Sequence, residues 1–273
     1  MTSQIDWLIN NKTSQNLKFV SHVGDLVQDW TGITSEWDFV QSGMTRLLNS
    51  GISYSVLPGN HDYNELTRDS TMFNSYFPLS IFQSMSTYGG AYDTNSDNTY
   101  HIVNVNGHNL LVLSLEFGPR SSVVTWANSI LSTYSTMKAV IVVHSYLKYD
   151  GELLAHTDNH APSNGYGLGS GPPDVNDGTD LWTNLVYPNN NVKFVICGHD
   201  GTPTDGSGFR DSTHSDGSHV YQIMGNWQYF ANYPGYLLLI SFGSNNVSFR
   251  TYSPYLGVYK TDSESQGDFS WSW

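Results

Sequence analysis

The chain has 273 residues, of which 38% are hydrophobic, 14% aromatic and 13% charged, and its formal net charge is −13. That length suits one large domain with a substantial core or two small ones, and so many aromatic residues exclude a disordered chain. With 11 Lys and Arg against 24 Asp and Glu, general nucleic-acid binding is excluded, and a phosphate ligand would need cations to bring it to so acidic a surface.

The single cysteine, Cys197, rules out an intramolecular disulfide framework. No stretch approaches the roughly 20 apolar residues of a membrane span, and no signal peptide is visible. The scarcity of Lys and the wealth of Asn, Ser, Thr and Tyr nonetheless lead us to expect a secreted or cell-surface protein.

In chain order, Ile5, Leu8 and Ile9 share one helical face between Gln4 and Asn11, and Lys18 to Val23 reads as a strand ending at Gly24-Asp25. From Thr34, an N-cap candidate, Trp37, Val40, Met44, Leu47 and Leu48 trace an amphipathic stripe that stops at Gly51. Ser53 to Leu57 alternates as a strand and completes a βαβ unit. It stops at Pro58-Gly59, and Asn60-His61-Asp62 follow in a row. A long polar and aromatic connection over 63–90 includes a predicted helix from Leu66 to Tyr76.

Asn106-Gly107 predicts a hairpin between strands Thr99–Val105 and Asn109–Leu115. After Pro119 comes a helix with Val123, Val124, Ala127, Ile130, Leu131 and Tyr134 on one face. Ala139 to Val143 is a continuous apolar run, as expected of a strand buried on both faces, and it ends at His144. Residues 148–178 form a loop too long and polar for an ordinary connector. Thr179 to Val186 reads as a short helix and Val192 to Cys197 as a buried strand, which ends at Gly198-His199-Asp200. A Gly-, Asp- and Ser-rich loop over 201–218 precedes strands near His219–Met224, Tyr236–Ser241 and Asn246–Tyr252, and the tail after Tyr259 shows little pattern. There is no internal repeat and no linker, so residues 1–273 are expected to form a single domain.

Asp25, Asn60, His144 and His199 each follow an apolar strand directly or within two residues. Strands that are neighbours in a sheet would bring all four to one edge, where open α/β sheets hold their sites. A carboxylate, an amide oxygen and two imidazoles form a mixed N/O set suited to Zn, Mn or Fe. Singly, each has a plainer reading: Asp25 as a turn residue, His144 as a cap. His61, beside a ligand-type residue, can transfer a proton. His156, Asp158 and His160 have metal-like spacing but lie in the polar loop and read as solvated or lid residues; Glu116 and Arg120 read as solvated ions.

Val23-Gly24-Asp25, Gly59-Asn60-His61-Asp62, Val143-His144 and Gly198-His199 occur in the order found in the calcineurin-like metallophosphoesterase superfamily, which the chain resembles over roughly residues 18–252. The resemblance implies an α/β sandwich of two mixed β-sheets flanked by helices. It implies hydrolysis of small phosphate mono- or diesters by a metal-activated hydroxide. By resemblance Asp25 bridges two divalent metals, Asn60, His144 and His199 complete one metal's shell, and His61 is catalytic, with Asp62 orienting it. The family's first motif, Asp-x-His on a strand before the first helix, has no counterpart, and its second Gly-His-x-His histidine is Gly201. The expectation is therefore a domain lacking its first strand, with a hydrophobic gap in one sheet, at most one bound metal and doubtful activity. The alternative is a catalytically silent surface or binding domain on the same scaffold.

Overall fold

A computed structural model describes residues 1–273 except 32, 65–66 and 231–233. Its centre is a seven-stranded mixed sheet in the order β3-β4-β5-β6-β7-β9-β8. The strands are β3 (Tyr88–Ala91), β4 (Thr99–Val105), β5 (His108–Leu115), β6 (Lys138–Val143), β7 (Val192–Cys197), β8 (Ser207–Thr213) and β9 (His219–Gly225). β5, β6, β7 and β9 run parallel, flanked by antiparallel strands on either side.

The sheet is apolar on both faces because its inner strands carry apolar residues without alternation. Ala139, Ile141 and Val143 of β6 pack on one side against α5 (Ser121–Thr133) and the short α6 (Gly178–Leu181) with the π-helical turn Trp182–Val186 that follows it. Val140 and Val142 enter a second core on the other side. Both residues of the Asn106-Gly107 turn have positive φ, 54° and 89°, as a two-residue hairpin with right-handed twist requires, and this fixes the β4–β5 register at Val105 opposite His108.

The second layer is in two pieces. β1 (Phe19–Ser21) and β2 (Ser53–Ser55) form a parallel pair joined through α2 (Thr34–Asn49), the predicted βαβ unit. β10 (Leu237–Phe242), β11 (Asn246–Ser253), β12 (Val258–Lys260) and β13 (Gln266–Ser270) form an antiparallel sheet. Outside them, α1 (Thr2–Asn11) and α2 press Ile5, Leu8, Trp37, Val40, Met44 and Leu47 into a third core, joined by Phe73 of α3 (Thr71–Tyr76) and Phe82 of α4 (Leu79–Gln83). The result is helix, sheet, sheet, helix, the mixed α/β class expected.

The second sheet has the gap expected in one sheet: β1 and β10 do not pair, and a cavity of about 760 Å³ separates them. Other expectations need correction. The predicted helix over 66–76 covers only Thr71–Tyr76, and Leu66 lies outside the described residues. β8 arises inside the 201–218 segment, where its Gly-, Asp- and Ser-rich sequence hides an edge strand that pairs in full with β9. β13 arises in the tail, where Gln266 to Ser270 pairs with β11 through backbone hydrogen bonds that composition does not signal. No helix among the described residues is long and apolar enough to cross a membrane.

Candidate metal centre

The parallel strands deliver Asp25, Asn60, His144 and His199 to one edge. Donor atoms of Asp25, His144 and His199 all lie within 4.8 Å of one another. His144 Nε2 is 3.3 Å from Asp25 Oδ2, 3.2 Å from Asn60 Oδ1 and 3.1 Å from His199 Nδ1. The other nitrogen of each ring faces a backbone carbonyl: His144 Nδ1 lies 2.7 Å from the Val23 oxygen and His199 Nε2 2.9 Å from the His160 oxygen. A carbonyl can only accept, so these outer nitrogens carry the protons and the inner nitrogens present lone pairs. Carbonyls that fix imidazole tautomers from behind are a recurrent feature of metal-ligating histidines.

The backbone is shaped to permit this. Asp25 and His199 adopt φ of 53° and 70°, a conformation unfavourable for side-chain-bearing residues and concentrated at functional sites. Two glycines make room. A Cβ on Gly24, at φ 93°, would lie 2.7 Å from Gly59 N and 2.8 Å from His144 Nδ1. A Cβ on Gly59 would lie 2.2 Å from Asp25 Oδ1 and 2.9 Å from His144 Cε1. Phe117, fully buried, stands behind both imidazoles with ring centroids 5.6 Å from His144 and 5.2 Å from His199.

Charge follows the geometry. Burial alone would raise the Asp25 carboxyl, but the charge and hydrogen bond of His144, with His199 and His61, hold it well below the usual carboxylate range. Burial works against protonated His144, yet Asp25 and the Val23 carbonyl bring its pKa above the ordinary value. Burial, then the neighbouring His144, pushes His199 down to about 3, so it is neutral. A proton on His144 Nε2 and a cation would therefore compete for the same place between the donors.

His61 lies beside this cluster. Its backbone N–H donates to Asp25 Oδ1 at 3.1 Å, and its ring Nδ1 donates to the Gln28 carbonyl at 2.9 Å. Nε2 is then the ring nitrogen with a lone pair to offer or to protonate. Asp62 does not orient His61, contrary to expectation. Its buried carboxylate accepts from the backbone N–H groups of Leu26 (2.7 Å), Val27 (3.1 Å) and Gly59 (2.8 Å). It clasps the two site loops together because three converging N–H donors demand an acceptor; burial and the charge of Asp25 push it up to about 7 against those bonds.

The 148–178 loop closes over the cluster. It contributes the His160 carbonyl and the Tyr166 hydroxyl, 3.2 Å from His199 Nε2. Asp200 turns away from the donors, accepting from Tyr149 N at 3.1 Å and facing His160 Nδ1 at 3.4 Å. His156 is engaged with Ser163 at 2.7 Å, and Asp158 accepts from Ala155 N at 2.8 Å. Glu116 is not a solvated ion: it is buried and bound by Asn98 and by Arg120 Nε and Nη2, the latter two at 2.8 Å. Tyr166 went unnoticed in the sequence reading because it belongs to no chemically diagnostic pattern.

The model of the calcineurin-like phosphoesterases matches residues 3–203. The chain is also 29% identical over 279 residues to the uncharacterized protein YvnB of Bacillus subtilis (strain 168), an alignment covering 97% of this chain and 19% of that relative. The chain therefore spans about a fifth of the length of the relative it matches. The family match, spanning the strand ends that converge on Asp25, Asn60, His144 and His199, places the chain in the calcineurin-like phosphoesterase family.

Proposed function

We propose that this chain hydrolyses phosphate mono- or diesters with a divalent cation, Zn, Mn or Fe, held by Asp25, Asn60, His144 and His199. The observation that supports this most is the pair of inward lone pairs, His144 Nε2 and His199 Nδ1, 3.1 Å apart with both outer nitrogens committed to carbonyls. Two nitrogen and two oxygen donors fit a four-coordinate site. When bound, such a cation supplies Lewis-acid polarisation of a phosphoryl oxygen and lowers the pKa of water toward neutrality.

The chain's own residues supply the rest. Asp25 links the cluster to the His61 loop, because the carboxylate that faces His144 also receives the His61 N–H. The Gln28 carbonyl fixes the ring of His61, so that Nε2 can pass a proton to a leaving alkoxide. Phe117 and Tyr166 cover one side of the imidazoles and limit water there.

One observation favours the second reading, a catalytically silent binding domain. Asp25 Oδ1, the oxygen available to a second cation, already accepts the His61 N–H, and the described donors cluster into one site rather than two. On this ground we propose at most one metal per chain and slow turnover. Chelator-treated protein, reloaded with Mn²⁺ or Zn²⁺ and assayed on p-nitrophenyl phosphate and bis(p-nitrophenyl) phosphate, separates the readings. Metal-dependent release of nitrophenol from either ester supports the enzyme; stoichiometric metal with no release from either supports the silent domain.

A further inference from the structure

The cavity between β1 and β10 has the shape of a vacant strand position. Among the described residues β1 pairs only with β2, and β10 only with β11. Both therefore turn an unpaired row of backbone donors and acceptors toward the space between them. Val112, Val140, Val142 and Ile196 of the large sheet form its floor, and Trp7 and Leu8 of α1 its roof. Its volume is about 760 Å³, and apolar side chains make up much of its lining.

Two details point to polypeptide rather than a small apolar molecule. The Leu237-Leu238-Leu239-Ile240 run of β10 is only half-buried on either face, although each face borders a core. His22 Nδ1, lining the same cavity, is buried without a hydrogen-bond partner among the described residues. An apolar guest would leave the backbone rows and His22 unsatisfied, and that omission is costly in a low-dielectric site.

The strand directions are also set. β1 runs toward Asp25, whereas β10 begins at Leu237, next to Tyr236, which packs on Trp227 at the site end, and finishes at Phe242, whose carbonyl accepts from Asn106 in the turn at the opposite end. The two edges are thus antiparallel, so any inserted strand is parallel to one and antiparallel to the other. We propose that this slot binds an extended, uncharged polypeptide segment of about six residues, apolar on both faces, by pairing with β1 and β10 at once and joining the two pieces into one sheet. The inference is independent of the phosphoesterase reading, since it uses neither a metal nor a substrate.

The test uses metal-free protein and the capped peptide acetyl-Lys-Ile-Val-Val-Ile-Val-Ser-Lys-amide. The proposal expects one peptide per chain, with hydrogen exchange slowed about tenfold or more in both residues 19–21 and residues 237–242. It expects N-methylation at alternate peptide residues, which blocks pairing on one side, to weaken binding by about tenfold or more. Ile196→Trp, which sets an indole on the floor of the slot, should abolish binding while circular dichroism shows an intact fold. Failure to bind, protection at one edge only, or equal affinity of the N-methylated peptide would overturn the proposal. So would concentration-dependent dimerisation that protects both edges without peptide, which would make a second copy the occupant. Peptide binding in the absence of any phosphoester hydrolysis would leave it intact.

Discussion

Replacing Gly59 with Ala tests the geometry of the donor cluster with the addition of a single carbon. The new Cβ would sit 2.2 Å from Asp25 Oδ1, 2.4 Å from Asp25 N and 2.9 Å from His144 Cε1. A relaxed carbon–oxygen approach is about 3.3 Å, so the Asp25 carboxylate must retreat by about 1 Å. It cannot swing freely, because the same oxygen receives the His61 N–H and the backbone beside it is held by Asp62. Overpacking of this kind costs about 1–3 kcal/mol of stability. Displacing a ligand set by disturbing its support costs about 10–100-fold in metal affinity. Isothermal titration of chelator-treated protein with Zn²⁺, beside urea denaturation, reads both quantities. Gly107→Ala is the control: it too has a positive φ, 89°, but no atom of the described residues lies within 4 Å of its Cβ, so it should lose some stability and no metal affinity. A folded Gly59→Ala protein that binds Zn²⁺ like the parent would refute the placement of Asp25 among the ligands.

Three further outcomes follow from the same contacts. His61→Ala should retain metal and lose any hydrolysis by about 10²–10⁴-fold; equal loss of metal would make His61 a ligand. Asp62→Asn places an amide NH₂ against at least one of three backbone N–H donors and should cost about 1–3 kcal/mol in urea denaturation, whereas an unchanged midpoint would show that Asp62 does not clasp the loops. His101 is fully buried among Phe19, Phe82 and Tyr88, and burial pushes it down to about 4. The unfolded chain takes up this proton below pH 6.5 while the folded one refuses it. The associated stability, about 3 kcal/mol at about 1.4 kcal/mol per unit, is present above pH 6.5 and is lost as pH falls toward 4. His101→Phe should fall by about that much less across the window; parallel curves for the two proteins would contradict this.

Much of the centre could be read from the chain because its residues obey local rules. Apolar runs such as Ala139 to Val143 declare buried parallel strands, and a chemically distinctive residue placed after each declares the edge. The convergence of Asp25, Asn60, His144 and His199 followed from topology alone. What escaped was decided by tertiary partners. β8 and β13 are held by ladders to β9 and β11 rather than by apolar patterning. Asp62 was misread because its acceptors' partners, the N–H groups of Leu26 and Val27, lie 35 residues or more away in sequence. Gln28 acts through its backbone carbonyl, which no side-chain motif can reveal, and so does His160.

The most direct test is the location of a metal. Crystals grown with Mn²⁺ or Zn²⁺ and measured at that metal's absorption edge should show one anomalous peak, within about 2.0–2.3 Å of His144 Nε2, His199 Nδ1, Asn60 Oδ1 and an Asp25 carboxylate oxygen. A peak at any other place, or none at these four atoms in the presence of excess metal, would contradict the account.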